Sequence, residues 1–192
     1  MISLGPYWKK SNVLYQLSAF SFCFDMNSIL IGRFQPFHKG HLQLIQGVCA
    51  EYDEIIIGIG SSQYDNTLEN PFNSDERKLM IEKSLEKIGV KNYRLVLIPD
   101  IHNYPKWVDH VISIISDFDV VLSNNSLTKR LFSKKGYVVK KTPFYDRDKY
   151  SGKEIRRRII NDESWVDLVP KTVYNLIKNI GGVDRLKKLS KK

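Results

Sequence analysis

Cysteine is scarce in this 192-residue chain, with only Cys23 and Cys49. That excludes a disulfide framework. The four histidines show no zinc-like spacing and no carboxylates cluster with them, so a tightly held transition metal is excluded too. The same shortage points to a reducing, cytoplasmic setting. No apolar run approaches the roughly 18 residues that a membrane span needs. Internal repeats and low-complexity linkers are absent, and the length suits one domain with a substantial core. Acidic charge is also in short supply: 21 Asp and Glu face 30 Lys and Arg, a net +9. Such a balance suits a polyanionic ligand, either a nucleotide or a nucleic acid. Part of the excess sits in the basic chain end, Val183 to Lys192, which reads as a solvated helix.

What is present is organised around Ser28 to Leu42. A short apolar run ends at Gly32, a turn follows, and an amphipathic segment begins near Lys39, which reads as strand, loop, helix. His38 and His41 bracket Lys39-Gly40. Their three-residue spacing at a helix start places both imidazoles on one side, beside unpaired backbone N–H groups. Gly40 would let a bulky group approach the backbone. These features predict a cationic pocket at a positive helix end, suited to a phosphate chain. The bland alternative is a pair of surface histidines at a helix cap.

Strand and helix then alternate. Leu42, Ile45, Val48 and Cys49 form a first apolar helix face. Glu54–Gly60 is a continuous apolar strand of the kind buried in a parallel sheet. Asn73 and Glu76 form a capping box for a helix running to about Ile88. Tyr93–Ile98, Asp119–Ser123 and Tyr137–Lys140 are the next strands. Between them lie a helix opened by Pro105 and a short helix over Leu127–Phe132. After a loop at Pro143, further helices start near Gly152 and at Pro170. The pattern predicts an α/β fold: a Rossmann-like, doubly wound parallel sheet with C-terminal helices. Ligands in such sheets bind beyond the carboxyl ends of the strands, where every suggestive polar cluster of this chain falls. Met1–Asp25 lacks steady periodicity and reads as a disordered extension, or as sequence upstream of a true start at Met26. Residues 26–192 would then form the domain.

Ser151 to Arg158 is the second constellation. A serine and a glycine at a helix start offer hydroxyl and backbone donors to phosphate, and Arg156 adds a permanent forked charge. Arg157 and Arg158 suit a solvated face. Trp107 falls in the first turn of its helix at the ligand edge, where an indole face stacks well on a pyridinium ring. Packing in the core is the commoner fate of tryptophan, and on physics alone the preferred one. The Asn103 amide has donors and acceptors complementary to a carboxamide. Arg77 reads as a salt-bridge partner rather than a phosphate or ribose contact. His102 and His110 read as structural or surface residues.

The run Gly32-Arg33-Phe34-Gln35-Pro36-Phe37-His38-Lys39-Gly40-His41 contains an H-x-G-H signature and resembles the archaeal type of nicotinamide-nucleotide adenylyltransferase, within the nucleotidyltransferase superfamily. Ser151 to Arg156 is similar to that family's second signature, with Arg156 on its arginine position. The resemblance spans about Ser28 to Leu189. It implies AMP transfer from ATP to nicotinamide mononucleotide, giving NAD and pyrophosphate, with magnesium travelling on the triphosphate. It further implies an ATP site of Gly32, Arg33, Phe34, His38, Gly40, His41, Asn125, Ser151, Gly152 and Arg156, with His38, His41 and Arg156 acting on the phosphates. Asn103 and Trp107 would bind the mononucleotide, the resemblance favouring a stacking role for the tryptophan. A homo-oligomer without nucleic-acid or membrane partners is also implied. Two departures stand out: Lys153 where the family usually has Thr or Ser, and Ser126 where proline is usual. Two alternatives stay open. One is a sibling enzyme acting on phosphopantetheine or a flavin mononucleotide; the other is a catalytically weakened nucleotide- or RNA-binding protein.

Overall fold

The computed structural model describes residues 26–142, 146 and 149–191. The expectations for Met1–Asp25 and for the loop at Pro143 lie outside the described residues. Within them the chain runs β1 (Asn27–Gly32), α1 (Lys39–Val48), β2 (Glu54–Gly60), α2 (Ser74–Lys87), β3 (Tyr93–Ile98) and α3 (Tyr104–Ile114). There follow β4 (Val120–Leu122), α4 (Ser126–Lys134), β5 (Val138–Lys140), α5 (Gly152–Ile160), α6 (Lys171–Asn179) and α7 (Gly182–Leu189). All strand pairs are parallel, in the order β3-β2-β1-β4-β5.

Strand periodicity divides the core. Ile55, Ile57 and Ile59 of β2 face one side, where they pack with Ile45 of α1, Met80 and Ile81 of α2, Ile155 of α5, Val173 of α6 and Leu186 of α7. Ile56 faces the other side with Ile29, Val108 and Val111 of α3, and Phe132 of α4. Both sheet faces are thus covered, as continuous apolar strands require. The chain winds outward from β1 through β2 to β3, then returns to place β4 on the opposite side of β1. The carboxyl ends of β1 and β4 therefore flank a topological switch point, where adjacent connections diverge and leave a crevice.

Boundaries differ from expectation at three places. β4 is Val120–Leu122 rather than the predicted Asp119–Ser123, because only those three residues pair with both β1 and β5. α4 is longer than the predicted Leu127–Phe132, because Asn125 caps it by accepting from the Thr128 N–H. β5 is shorter, because Tyr137 is tied into the preceding turn by donating its N–H to the Phe132 carbonyl.

Candidate active site

Three helix N-termini meet at the crevice, and each has its own cap. α1 begins with a reciprocal box of two histidines. The His41 N–H donates to His38 Nδ1 and the His38 N–H donates to His41 Nδ1, both at 3.3 Å. The imidazoles stack with centroids 3.5 Å apart and planes inclined by 16°. Because both Nδ1 atoms accept, each neutral ring carries its proton on Nε2 and can donate from there. α4 starts at Asn125, as described. α5 starts at Ser151, whose Oγ accepts from the Glu154 N–H at 3.2 Å and keeps its own hydroxyl proton.

The crevice is a cavity of about 460 Å³. It brings together Arg33, Phe34, His38, Gly40, His41, Asn125, Ser151, Gly152, Lys153 and Arg156. Gly32 is not in this lining; it borders a neighbouring cavity of about 200 Å³, together with Trp107, Pro99 and Asp100. The two cavities share Ile31 and Arg33. Trp107 is half-buried, its ring edge-on to Phe132 at 5.6 Å, so it combines packing with a place on a cavity wall. Asn103 is exposed and lines neither cavity. It caps α3, accepting from the Lys106 N–H at 3.2 Å.

The source of positive charge differs from the sequence expectation. Burial lowers His38 to about 4. Burial and the neighbouring His38 both lower His41. At neutral pH the pair is uncharged, because a charged imidazole would lose its hydration without gaining a counter-ion. The cationic character belongs to Arg33, Lys153 and Arg156. Burial, and then the proximity of Arg33, lower Arg156, with Glu69 acting in the opposite sense. Two guanidiniums held close together make a potential that an anion relieves.

Two glycines also do something other than expected. The space above Gly40 is filled: a Cβ there would lie 2.9 Å from Tyr150 Cβ and 3.2 Å from His38 Nδ1. At Gly152 a Cβ would lie 2.6 Å from the Gln35 carbonyl oxygen. That same oxygen accepts from Arg156 Nη1 at 2.6 Å. Gln35, buried, is fixed in turn by its amide, which donates to the Phe72 carbonyl at 2.8 Å and accepts from the Phe72 N–H at 3.0 Å.

Arg77 forms no salt bridge among the described residues. It is fully buried and donates to the backbone carbonyls of Asn73, Arg33, Gly60, Ser61 and Ser62. Burial pushes it down to about 10, leaving it charged. Five carbonyls, four from where β1 and β2 run into their loops and one from the α2 cap, converge there, and a planar guanidinium satisfies them together. The acid beside it in sequence, Glu76, pairs with Arg185 of α7 at 2.7 and 2.8 Å. His102 is exposed and bonds to the Tyr64 hydroxyl, and His110 bonds to the Pro99 carbonyl.

Sequence reasoning missed Asn124, Thr142, Tyr150, Leu44 and the role of Gln35. Asn124 donates to the Thr142 carbonyl and hydroxyl at 2.8 and 2.6 Å and accepts from the Thr142 N–H. The available signal was the Ser123-Asn124-Asn125 run at the end of β4.

A parallel sheet in this order, with helix ends and arginines around its switch-point crevice, defines a Rossmann-like protein built to hold the phosphate chain of a nucleotide. Residues 29–158 match the cytidylyltransferase-like family, and the chain belongs to it. It is 48% identical over 167 residues to a nicotinamide-nucleotide adenylyltransferase of Methanococcus aeolicus, spanning 87% of this chain and 96% of that one. It is 46% identical to the enzyme of the same name from Thermoplasma volcanium, spanning 86% and 93%. Among solved structures, a bifunctional NMN adenylyltransferase/ADP ribose pyrophosphatase from Francisella tularensis superposes with a TM-score of 0.72 at 25% identity. The superposition takes in 85% of this chain and 51% of that chain, about half its length. A structure from Vibrio parahaemolyticus shares the fold, with a TM-score of 0.60 at 13% identity over 85% of this chain and 96% of that one. Among the described residues no helix is long and apolar enough to cross a membrane.

Proposed function

We propose that this protein transfers the adenylyl group of ATP to nicotinamide mononucleotide, giving NAD and pyrophosphate. The carrying observation is the stacked histidine pair at the start of α1, Nε2-protonated and uncharged, in one crevice with Arg156 and the Ser151 end of α5. An oxygen of the mononucleotide 5′-phosphate bonds to the α-phosphorus of ATP as the bond to the bridging oxygen breaks and pyrophosphate leaves. No covalent enzyme intermediate is required. The protein's work is alignment of two anions and stabilisation of charge as it shifts towards the leaving group. His38 and His41 donate from Nε2 to phosphate oxygens. Arg33 and Arg156 take the β- and γ-phosphates, and the α5 start at Ser151-Gly152 adds hydroxyl and backbone donors. Asn125 lines the same crevice as an ATP contact. Trp107 lies on the wall of the adjoining cavity, where its exposed part stacks on the pyridinium.

Magnesium enters as part of the ATP substrate. The crevice offers imidazole, amide, hydroxyl and guanidinium groups, and among the described residues no group of three His, Cys, Asp or Glu could hold a metal ion. This donor set suits an ion carried on phosphate oxygens, where it neutralises the leaving group. The Francisella tularensis structure was solved with AMP and a manganese ion.

The test is steady-state turnover of the purified protein with ATP, magnesium and a panel of acceptors. Nicotinamide mononucleotide should be preferred over phosphopantetheine and flavin mononucleotide. Turnover with phosphopantetheine or flavin mononucleotide instead would assign a sibling reaction, and nucleotide binding without turnover would mark a weakened enzyme.

A further inference from the structure

The phosphate end of the crevice is not closed. Beyond it lies a second hollow of about 420 Å³, bordered by Arg33, Glu69, Lys153, Arg156, Arg157 and Asn161. Arg33, Lys153 and Arg156 line both spaces, so the two communicate across a row of three cations. Of the hollow's charged groups among the described residues only Glu69 is acidic, and its position is informative. Its Oε2 lies 3.7 Å from Arg33 Nη1, so an oxyanion already occupies the hollow against an arginine. The pair is held loosely, with side chains 53% and 79% exposed, and an exposed pair of this kind contributes at most about 1 kcal/mol. A phosphate bringing more charge to the same guanidinium would displace it. Arg157 is different: Glu154 and Glu163 hold it, so it borders the hollow as part of a neutralised network.

Resting on the adenylyl-transfer reading, we propose that the leaving-group side of this site accepts an inorganic oligophosphate longer than pyrophosphate. The reverse reaction is then open to tripolyphosphate. A terminal oxygen of tripolyphosphate bonds to the adenylyl phosphorus of NAD. The bond from that phosphorus to the bridging oxygen breaks, and the oxygen departs on the 5′-phosphate of nicotinamide mononucleotide. The products are adenosine 5′-tetraphosphate and nicotinamide mononucleotide, with no oxidant or reductant consumed. The additional phosphate lies in the hollow, where Lys153 supplies a charge that a threonine or serine would not.

The experiment follows the full-length protein with magnesium, NAD and either pyrophosphate or tripolyphosphate, resolving ATP and adenosine tetraphosphate by chromatography. The tetraphosphate should form with kcat/KM within about tenfold of the pyrophosphate reaction, the scale of a single charge-assisted hydrogen bond. Asn161→Asp, which adds a carboxylate to the exposed rim of the hollow, should lower the tripolyphosphate-to-pyrophosphate ratio of kcat/KM by roughly threefold or more. Lys153→Thr should lower that ratio in the same direction, and Glu69→Gln should raise it. ATP formation from pyrophosphate with no tetraphosphate from tripolyphosphate overturns the proposal. So does a ratio that none of the three variants moves. Failure to make either product overturns the adenylyl-transfer reading itself.

Discussion

The histidine pair makes the acid limb of stability a direct measure of the site. His38 has a folded pKa of about 4, against about 6.5 in an unfolded chain. Between these values the unfolded state binds a proton that the folded state refuses, so stability is present above pH 6.5 and falls as pH drops towards 4. For His38 alone, linkage gives a loss of about 2 kcal/mol between pH 7 and pH 5, reaching about 3 kcal/mol at pH 4. His41 is shifted in the same direction and adds to the loss. Depressed carboxylates such as Glu154, lowered to about 2, act at more acid pH: their contribution is lost as pH falls from the ordinary carboxylate range through the folded value. The interval from pH 7 to pH 5 therefore isolates the imidazoles.

The variant that separates cap from titration is His38→Asn. Asparagine is a good N-cap and can accept the His41 N–H, but it does not titrate. Denaturant unfolding followed by tryptophan fluorescence at half-unit pH steps is the assay. The variant should lose about 2 kcal/mol less than the natural protein between pH 7 and pH 5. Parallel stability curves for the two proteins over that interval would refute the buried, neutral assignment and return the positive charge to the histidines.

His41→Ala should lower turnover by roughly 10²–10³-fold, the loss of one preorganised donor, while removal of its cap acceptor costs about 1 kcal/mol by thermal unfolding. Near-normal kcat would exclude His41 from the reacting phosphates. Trp107→Ala should weaken mononucleotide binding by roughly 1–3 kcal/mol and leave ATP affinity almost unchanged, measured by calorimetry with each ligand separately. Equal loss of both ligands would make the ring a core residue only. Arg77→Leu should destabilise the protein by about 3 kcal/mol or more, since it orphans buried carbonyls at the roots of two site loops. An unchanged urea midpoint would contradict that.

The fold was legible because its signals are local. The apolar runs of β1 and β2, the Asn73–Glu76 box and Pro105 each act within a few residues, and they appear where expected. The candidate site was legible as a set of segments that line one crevice, because the carboxyl ends of parallel strands must share one edge. What could not be read were properties created by long-range burial. The neutrality of His38 depends on neighbours brought by folding, and the spacing of the two histidines cannot report desolvation. Arg77 beside Glu76 looks like half of an ion pair, yet its partners are carbonyls from residues 33, 60, 61, 62 and 73. Asn103 looks like a base reader, but the local bond to the α3 terminus claims its oxygen and keeps it out of both cavities.

The two signature segments, more than a hundred residues apart, are one mechanical unit. Gly40 of the first is glycine because Tyr150, next to the second, packs onto it. Gly152 of the second is glycine because the Gln35 carbonyl of the first occupies its Cβ space. That carbonyl also receives Arg156, and Phe72 holds Gln35 from behind. Gly182 of α7 packs against the Phe72 ring, and Arg185 donates to the Pro71 carbonyl at 2.9 Å while clamping Glu76. A line of direct contacts thus runs from the C-terminal helix through the Pro71-Phe72 turn to Arg156 in the crevice. It explains why the arginine needs no carboxylate to hold it. A backbone oxygen fixes its direction at little cost in charge, so most of its positive potential remains for the ligand.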